Sequence, residues 1–227
     1  LISVGLKYYQ ISNGKFDITV APLSDLWDFK SEDASVPDAD DIAEALSKVG
    51  ADQLSLSGNT LTFASDDVMI DLGALVKGFA ADQMETYLTE NGVTSGLLNL
   101  GGNVLTIGSR PDGSDWSIGI QKPFDDNDPI IDVVKVKDQT VVSSGIYERY
   151  FKQDGVIYHH ILDPDTGYPI QNDLWGVSII CDSSLTGDAL STTCMTLGYK
   201  KANDLIQSLD QTEAEFILDD CKLKKTF

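Results

Sequence analysis

Residues 75–100 read LVKGFAADQMETYLTENGVTSGLLNL. From Leu75 to Asn91 the apolar residues Val76, Phe79, Ala80, Met84, Tyr87 and Leu88 recur with a helical period, and Gly92 supplies the stop. No second helix comes next. Strand-like runs succeed one another at Gly96 to Leu100, Trp116 to Gln121, Val133 to Val136, Val141 to Ser144 and Tyr158 to Leu162. The next helical pattern begins only near Gly187, with another from about Lys200 to Leu209 and a final pair of strands around Glu215 to Leu223. A doubly wound parallel sheet needs a helix between successive strands, and this order lacks it. The expectation is an α+β fold, a mixed and largely antiparallel sheet with packed helices.

Upstream, Leu1, Val4, Leu6, Tyr8, Tyr9 and Ile11, ended by Asn13-Gly14, read as the tail of an amphipathic helix with a glycine C-cap. Phe16 to Leu23 reads as an extended segment, and Pro37 to Gly50 as carrying a short amphipathic helix. Leu54-Ser55-Leu56 and Leu61-Thr62-Phe63 flank Ser57-Gly58-Asn59-Thr60 as a hairpin. With no repeat, low-complexity tract or linker, residues 1–227 are expected to form a single domain whose N-terminal part is missing.

Sixteen basic against thirty-six acidic residues leave a formal charge of −20. That balance argues against nucleic-acid binding and against adhesion to anionic lipid. An anionic ligand would need local cations or a bound metal to overcome the field. Cys181, Cys194 and Cys221 fit neither an even disulfide framework nor a zinc pattern, and read as buried or free thiols. No apolar run is long enough to span a bilayer.

The only two histidines, His159 and His160, open the run His160-Ile161-Leu162-Asp163-Pro164-Asp165-Thr166-Gly167. On a strand they point to opposite faces, so at most one serves a given site. The plain alternative is a polar turn begun by Asp163-Pro164 and finished by Gly167. Asp188 and Thr192 stand at i and i+4 near a helix start and offer two hard oxygens on one face, suited to Mg²⁺; the alternative is that Asp188 caps the helix and Thr192 packs. Around Asp71-Leu72-Gly73-Ala74-Leu75-Val76-Lys77-Gly78, two glycines admit a ligand, Lys77 can meet a phosphate, and the carbonyl at Gly73-Ala74 can face a metal; a tight strand-to-helix connection uses the same residues. Gly101-Gly102 forms either an anion nest or a hairpin turn. Val142 to Phe151 brings hydroxyls, Arg149 and aromatics suited to a phosphate and a flat ring, or to cross-strand packing.

Together these segments resemble the FAD:protein FMN transferases, flavin transferase lipoproteins once linked to thiamine synthesis. The resemblance rests on Phe16-Asp17-x-Thr19-Val20-x-Pro22-Leu23, Asp71-Leu72-Gly73-Ala74-x-x-Lys77-Gly78-Phe79-Ala80-x-Asp82 and Asn99-x-Gly101-Gly102-Asn103. It extends through Ser144-Gly145-x-Tyr147-x-Arg149-Tyr150-Phe151, His160-Ile161-x-Asp163-Pro164-x-Thr166-Gly167-Tyr168-Pro169 and Asp188-Ala189-Leu190-Ser191-Thr192, in the family's order. It implies a T-fold-like flavin transferase architecture and Mg²⁺-dependent transfer of FMN from FAD to a Thr or Ser hydroxyl of a partner protein, releasing AMP. By resemblance Asp188, Thr192 and the Ala74 carbonyl hold the metal, and His160 is the general base, with Asp188 also counted as catalytic. Lys77, Gly101, Gly102, Asn103, Ser144, Gly145, Arg149, Asp163 and Thr166 fall to the flavin nucleotide, the last two also shaping the turn. The implied partner is a flavin-carrying electron-transfer subunit, and the implied location the bacterial envelope, through a lipid anchor this chain does not contain. Rival readings are a Mg²⁺-dependent FAD pyrophosphatase yielding FMN and AMP, a non-catalytic FAD-binding protein, and a structural envelope domain.

Overall fold

The structure is a computed structural model that describes residues 1–125, 127 and 129–227. Its elements run α1 (Ile2–Ile11), α2 (Ala21–Trp27), α3 (Ala39–Leu46), β1 (Leu54–Ser57), β2 (Thr60–Phe63), α4 (Val76–Glu90), β3 (Gly96–Asn99), β4 (Asn103–Ile107) and β5 (Trp116–Gln121). Then come β6 (Ile130–Val136), β7 (Thr140–Gly145), β8 (Tyr150–Gln153), β9 (Val156–His159), β10 (Leu174–Cys181), α5 (Ser184–Leu197), α6 (Tyr199–Gln207), β11 (Glu213–Leu218) and β12 (Leu223–Lys225). Every strand pairing is antiparallel, the α+β arrangement that the sequence order predicts. The chain divides into two compact units, one formed by Leu1–Leu72 with Ile146–Asn172, the other by Gly73–Gly145 with Asp173–Phe227. No helix among the described residues is long and apolar enough to cross a membrane.

In the first unit, the extended reading of Phe16 to Leu23 is corrected: Ala21–Trp27 is helical, with Pro22 in the first turn, where its missing N–H costs nothing. Asp17 explains the non-strand stretch before it. Its carboxylate accepts the Thr19 amide and hydroxyl at 2.7 and 2.6 Å and the Ala51 amide at 3.0 Å, while the Thr19 hydroxyl accepts the Gly50 amide at 2.7 Å. The hydrophobic centre is Trp27, packed with Leu23, Ile42, Ala45 and Leu162 and stacked on Phe29 and Tyr158. Its indole N–H donates to the Gly167 carbonyl at 2.8 Å, so the turn after the histidines is anchored on this core.

Gly167 has φ +75°, and a Cβ there would lie 2.7 Å from Ile42 Cγ2 and 3.2 Å from Leu23 Cδ2. Gly167→Ala should therefore combine a left-handed backbone penalty with overpacking and cost about 2–4 kcal/mol in chemical denaturation. Gly155, with φ +80° and no atom within 4 Å of the added carbon, isolates the backbone term. Gly155→Ala should cost only about 1 kcal/mol. Equal losses in the two variants would rule out a packing contribution at Gly167.

The second unit is built on a six-stranded sheet of order β12-β11-β10-β7-β4-β3. Strand period 2 divides its two faces. Val104, Val141, Ile180 and Ile217 turn toward the β5–β6 hairpin and pack with its Ile118, Ile120, Val134 and Val136. On the other face Leu105 and Ile107 pack with Ala81 of α4, and α5 lies across β7 and β10. The contact with β7 is close because α5 presents small residues: Ser184 meets Thr140, Gly187 meets Val142 and Ser191 meets Ser144.

On the hairpin side a row of polar partners crosses the sheet, Ser143, Ser178, Glu215 and Lys225 standing in register on β7, β10, β11 and β12. The Lys225 ammonium pairs with Glu215 at 2.8 Å and also with Asp132 of β6. Glu215 is fully buried. Burial, reinforced by Asp132 and opposed by Lys225, pushes its carboxyl from the ordinary 4.5 to about 6. The folded state thus holds this proton more tightly than the unfolded chain, so stability falls as pH rises from about 4.5 to about 6, by about 2 kcal/mol. Glu215→Gln should remove that slope in denaturation curves collected across the window, and a slope unchanged by the substitution would contradict it.

Candidate functional site

Two helix N-termini meet in the second unit, and the chemistry gathers there. Helix α5 begins at Ser184, three residues before the expected Gly187, because the Ser183 hydroxyl accepts the Thr186 amide as N-cap. Asp188 therefore lies one turn inside α5 and does not cap it. It caps α4 instead: its Oδ2 accepts the Gly78 amide at 2.8 Å, an N–H that has no partner within its own helix. Asp188 is 3 % exposed. Burial pushes its carboxyl above the ordinary range, against the pull of the Gly78 amide and of the Lys77 charge. Thr192 follows at i+4, half-buried, and Ala74 occupies the turn directly before α4.

Lys77 extends from the first turn of α4 to within 3.3 Å of the Gly101 carbonyl. Gly101 and Gly102 both have positive φ, +62° and +87°, and the Leu100 amide donates to the Asn103 carbonyl across them. They form the two-residue hairpin between β3 and β4, the reading in which positive φ is needed twice. Asn103 is fully buried, and its side-chain oxygen accepts the Ser184 hydroxyl at 2.6 Å, tying β4 to the start of α5. Ser144 reaches Asp188 through one intermediary. The Ser191 hydroxyl donates to the Asp188 carbonyl at 2.9 Å, so the 2.8 Å contact between Ser144 and Ser191 has Ser144 as donor. Gly145 is buried and pairs with Gly176.

The other named residues belong to the first unit. β9 begins two residues before the expected Tyr158 and ends at His159, three residues before the expected Leu162, and the His160 amide continues the pairing to the Arg149 carbonyl at 3.1 Å. The chain then folds back, Ile161 pairing with Ile170 and Asp163 with Tyr168 around the Asp-Pro turn. The two histidines part company as a strand requires. His159 is 3 % exposed, its Nε2 donates to the Ile170 carbonyl at 3.0 Å, and burial with the neighbouring His160 lowers its pKa to about 4, so it is neutral. His160 is half-buried, and its Nδ1 lies 3.3 Å from the Arg149 carbonyl. A carbonyl only accepts, so Nδ1 carries a proton, and in the neutral form of the ring Nε2 is the basic nitrogen.

The Asp163 carboxylate accepts the Asp165 amide at 3.0 Å and the Lys15 ammonium at 2.7 Å, and Lys15 also pairs with Asp165 at 2.8 Å. Burial would lower the Lys15 pKa, but those two carboxylates raise it. Thr166 and the Arg149 side chain are exposed. Cys181 and Cys194 are buried thiols and Cys221 is a half-buried one.

Asp82 and Lys15 carry contacts that local patterning did not assign. Asp82 stood in a matched segment without a role, yet its carboxylate accepts the Ser184 and Leu185 amides at 2.7 and 3.1 Å and the Ser183 hydroxyl at 2.9 Å. Its partners lie a hundred residues away, beyond any periodicity argument.

The residues fit a divalent cation on their own chemistry. Asp188 has one oxygen held by Gly78 and the other without a hydrogen bond among the described residues, in a site that disfavours its charge, and Thr192 follows four residues on in the same helix. Among the described residues no three His, Cys, Asp or Glu side chains cluster as a metal site. A lone carboxylate with neutral oxygens suits Mg²⁺, which keeps waters and takes substrate phosphates.

Known proteins match almost the whole chain. The FAD:protein FMN transferase of Treponema pallidum (strain Nichols) is 35% identical over 239 residues, covering 99% of this chain and 66% of that protein. The one from Klebsiella pneumoniae (strain 342) is 38% identical over 219 residues, covering 96% and 67%. The chain thus spans about two thirds of the length of these curated relatives. Among solved structures, the ApbE protein of Thermotoga maritima superposes with a TM-score of 0.87 at 32% identity, over 99% of this chain and 74% of that one. The flavin transferase ApbE from Vibrio cholerae gives 0.87 at 29% identity, over 99% and 72%. The family model described as the ApbE family matches residues 1–216, and with both sequence and fold in agreement the chain belongs to that family.

Proposed function

We propose that this chain carries out FMN transfer from FAD to a Thr or Ser hydroxyl of a target protein, with Mg²⁺ and with release of AMP. The observation that carries the reading is the buried Asp188 carboxylate, set on the α4 N-terminus with Thr192 one turn on, in a chain of the ApbE family. Asp188, Thr192 and the Ala74 carbonyl would hold the ion. When bound, it supplies charge neutralisation at the pyrophosphate, the main demand of phosphoryl transfer.

The chain's own groups would do the rest. Lys77 and the Gly101-Gly102 turn offer a cation and backbone to phosphate, and Arg149 offers a second exposed cation in a protein of charge −20. Ser144 and Asn103 would act by holding α5, Gly145 by ending β7, and Asp163 and Thr166 by shaping the turn that follows His160. The acceptor oxygen attacks the FMN phosphorus, the bond from that phosphorus to the bridging oxygen breaks, AMP leaves, and the acceptor proton passes to Nε2 of His160. By family the acceptor would be a redox subunit outside the cytoplasm, with the enzyme anchored by lipid at the envelope.

The test is incubation with FAD, Mg²⁺ and a peptide bearing an acceptor threonine. The expected result is a peptide heavier by one FMN and an equal amount of AMP, abolished by EDTA. His160→Ala should slow the transfer by about 10²–10⁴-fold. Free FMN at the full rate with no labelled peptide would replace the transferase reading by FAD hydrolysis, and no turnover at all would leave a binding protein.

A further inference from the structure

Neither α4 nor α5 has an acidic side chain in its first turn. Each takes one from the other. Asp188 of α5 accepts the third amide of α4, while Asp82 of α4 accepts the first and second amides of α5, and the Ser183 hydroxyl completes the third. Two helix N-termini that would otherwise face each other with like partial charges are thus bridged by exchanged carboxylates. The bridge is tight, since a Cβ on Gly78 would lie 2.3 Å from the Ser184 carbonyl oxygen.

The two halves of the exchange are not equivalent. Asp82 spends both oxygens on three donors, and Ser183 is itself bound by it. Asp188 spends one oxygen and keeps the other. We propose that Asp82 is a positioning residue: by fixing the start of α5 on α4 it sets where the second Asp188 oxygen points, and so the affinity of the site for its cation. The proposal rests on the Mg²⁺ reading of Asp188, and its test separates the two.

Asp82→Asn preserves volume and removes the charge and one acceptor. In the intact protein, Mg²⁺ is titrated against both thermal stability and FMN transfer. The half-saturating Mg²⁺ concentration should rise about 10–100-fold, while transfer at saturating Mg²⁺ recovers to within a few-fold of the unsubstituted rate. A merely structural role would lower the melting temperature and leave half-saturation where it was, which would overturn the proposal. The second readout needs no metal. Hydrogen exchange at the Gly78 amide should quicken at least about tenfold relative to amides in the middle of α4, because its acceptor is no longer held. Unchanged Gly78 exchange would also overturn the proposal. A lack of any Mg²⁺ response in the unsubstituted protein, with Gly78 exchange quickened in the variant, would sink the metal reading and keep the positioning role toward Asp188. If Asp82→Asn does not fold, Ser183→Ala should move half-saturation and exchange in the same direction by a smaller factor.

Discussion

Asp188→Asn should lower FMN transfer by on the order of 10²–10³-fold while leaving the metal-free protein as stable as before, or more so. The amide keeps an oxygen in place to accept the Gly78 N–H, so the cap on α4 survives. The substitution removes a charge from a site 3 % exposed to water, where burial already works against ionisation. Removing a buried charge while retaining its hydrogen bond relieves desolvation without orphaning a donor. The readout is the pair of denaturation curves with and without Mg²⁺. The unsubstituted protein should gain about 2.7 kcal/mol at a hundredfold excess of Mg²⁺ over its dissociation constant, and the variant close to none. An identical Mg²⁺ stabilisation in both proteins, or transfer at the normal rate by Asp188→Asn, would move the metal elsewhere. The inverted signs, activity lost and stability kept, are what distinguish a functional carboxylate from a structural one.

The same residue marks how far the sequence could be read. Helix α4 and the β1–β2 hairpin were legible because each is decided locally, by a 3.6-residue period with a glycine stop in one case and a two-residue turn in the other. The histidine turn was legible for the same reason, down to the opposite fates of His159 and His160. Strand β4 was not, since it is buried along its whole length and shows no alternation. The region after Phe16 misled because Asp-x-Thr, which locally resembles an extended run, closes on Gly50 and Ala51 more than thirty residues on. Asp188 could be placed on a helix face from its spacing with Thr192, but the Gly78 amide that holds it is 110 residues away in sequence. Candidate residues could be named from local spacing, and their partners were a product of the fold.

Gly78→Ala sets helix propensity against packing. In a helix interior propensity favours alanine by about 1 kcal/mol, and Gly78, in the first turn of α4, stands to gain no more than that. Packing opposes it. The added carbon would lie 2.3 Å from the Ser184 carbonyl oxygen, 2.6 Å from its carbon and 2.7 Å from the Leu185 Cα, all backbone atoms that no rotamer change can move aside. The helices would have to part, stretching the Asp188 bond to the Gly78 amide and the Asp82 bonds to Ser184 and Leu185 together. Overpacking of about 1–3 kcal/mol and the loss of charge-assisted hydrogen bonds together predict a net destabilisation of about 3 kcal/mol or more. Gly187→Ala is the contrast, because the nearest atom to its added carbon is the Val142 Cγ2 at 2.8 Å, a side-chain methyl rather than the backbone of a facing helix. It should cost distinctly less than Gly78→Ala. Urea denaturation of the two variants decides the sign, and a Gly78→Ala protein more stable than its parent would mean that the α4–α5 approach is not what fixes Asp188.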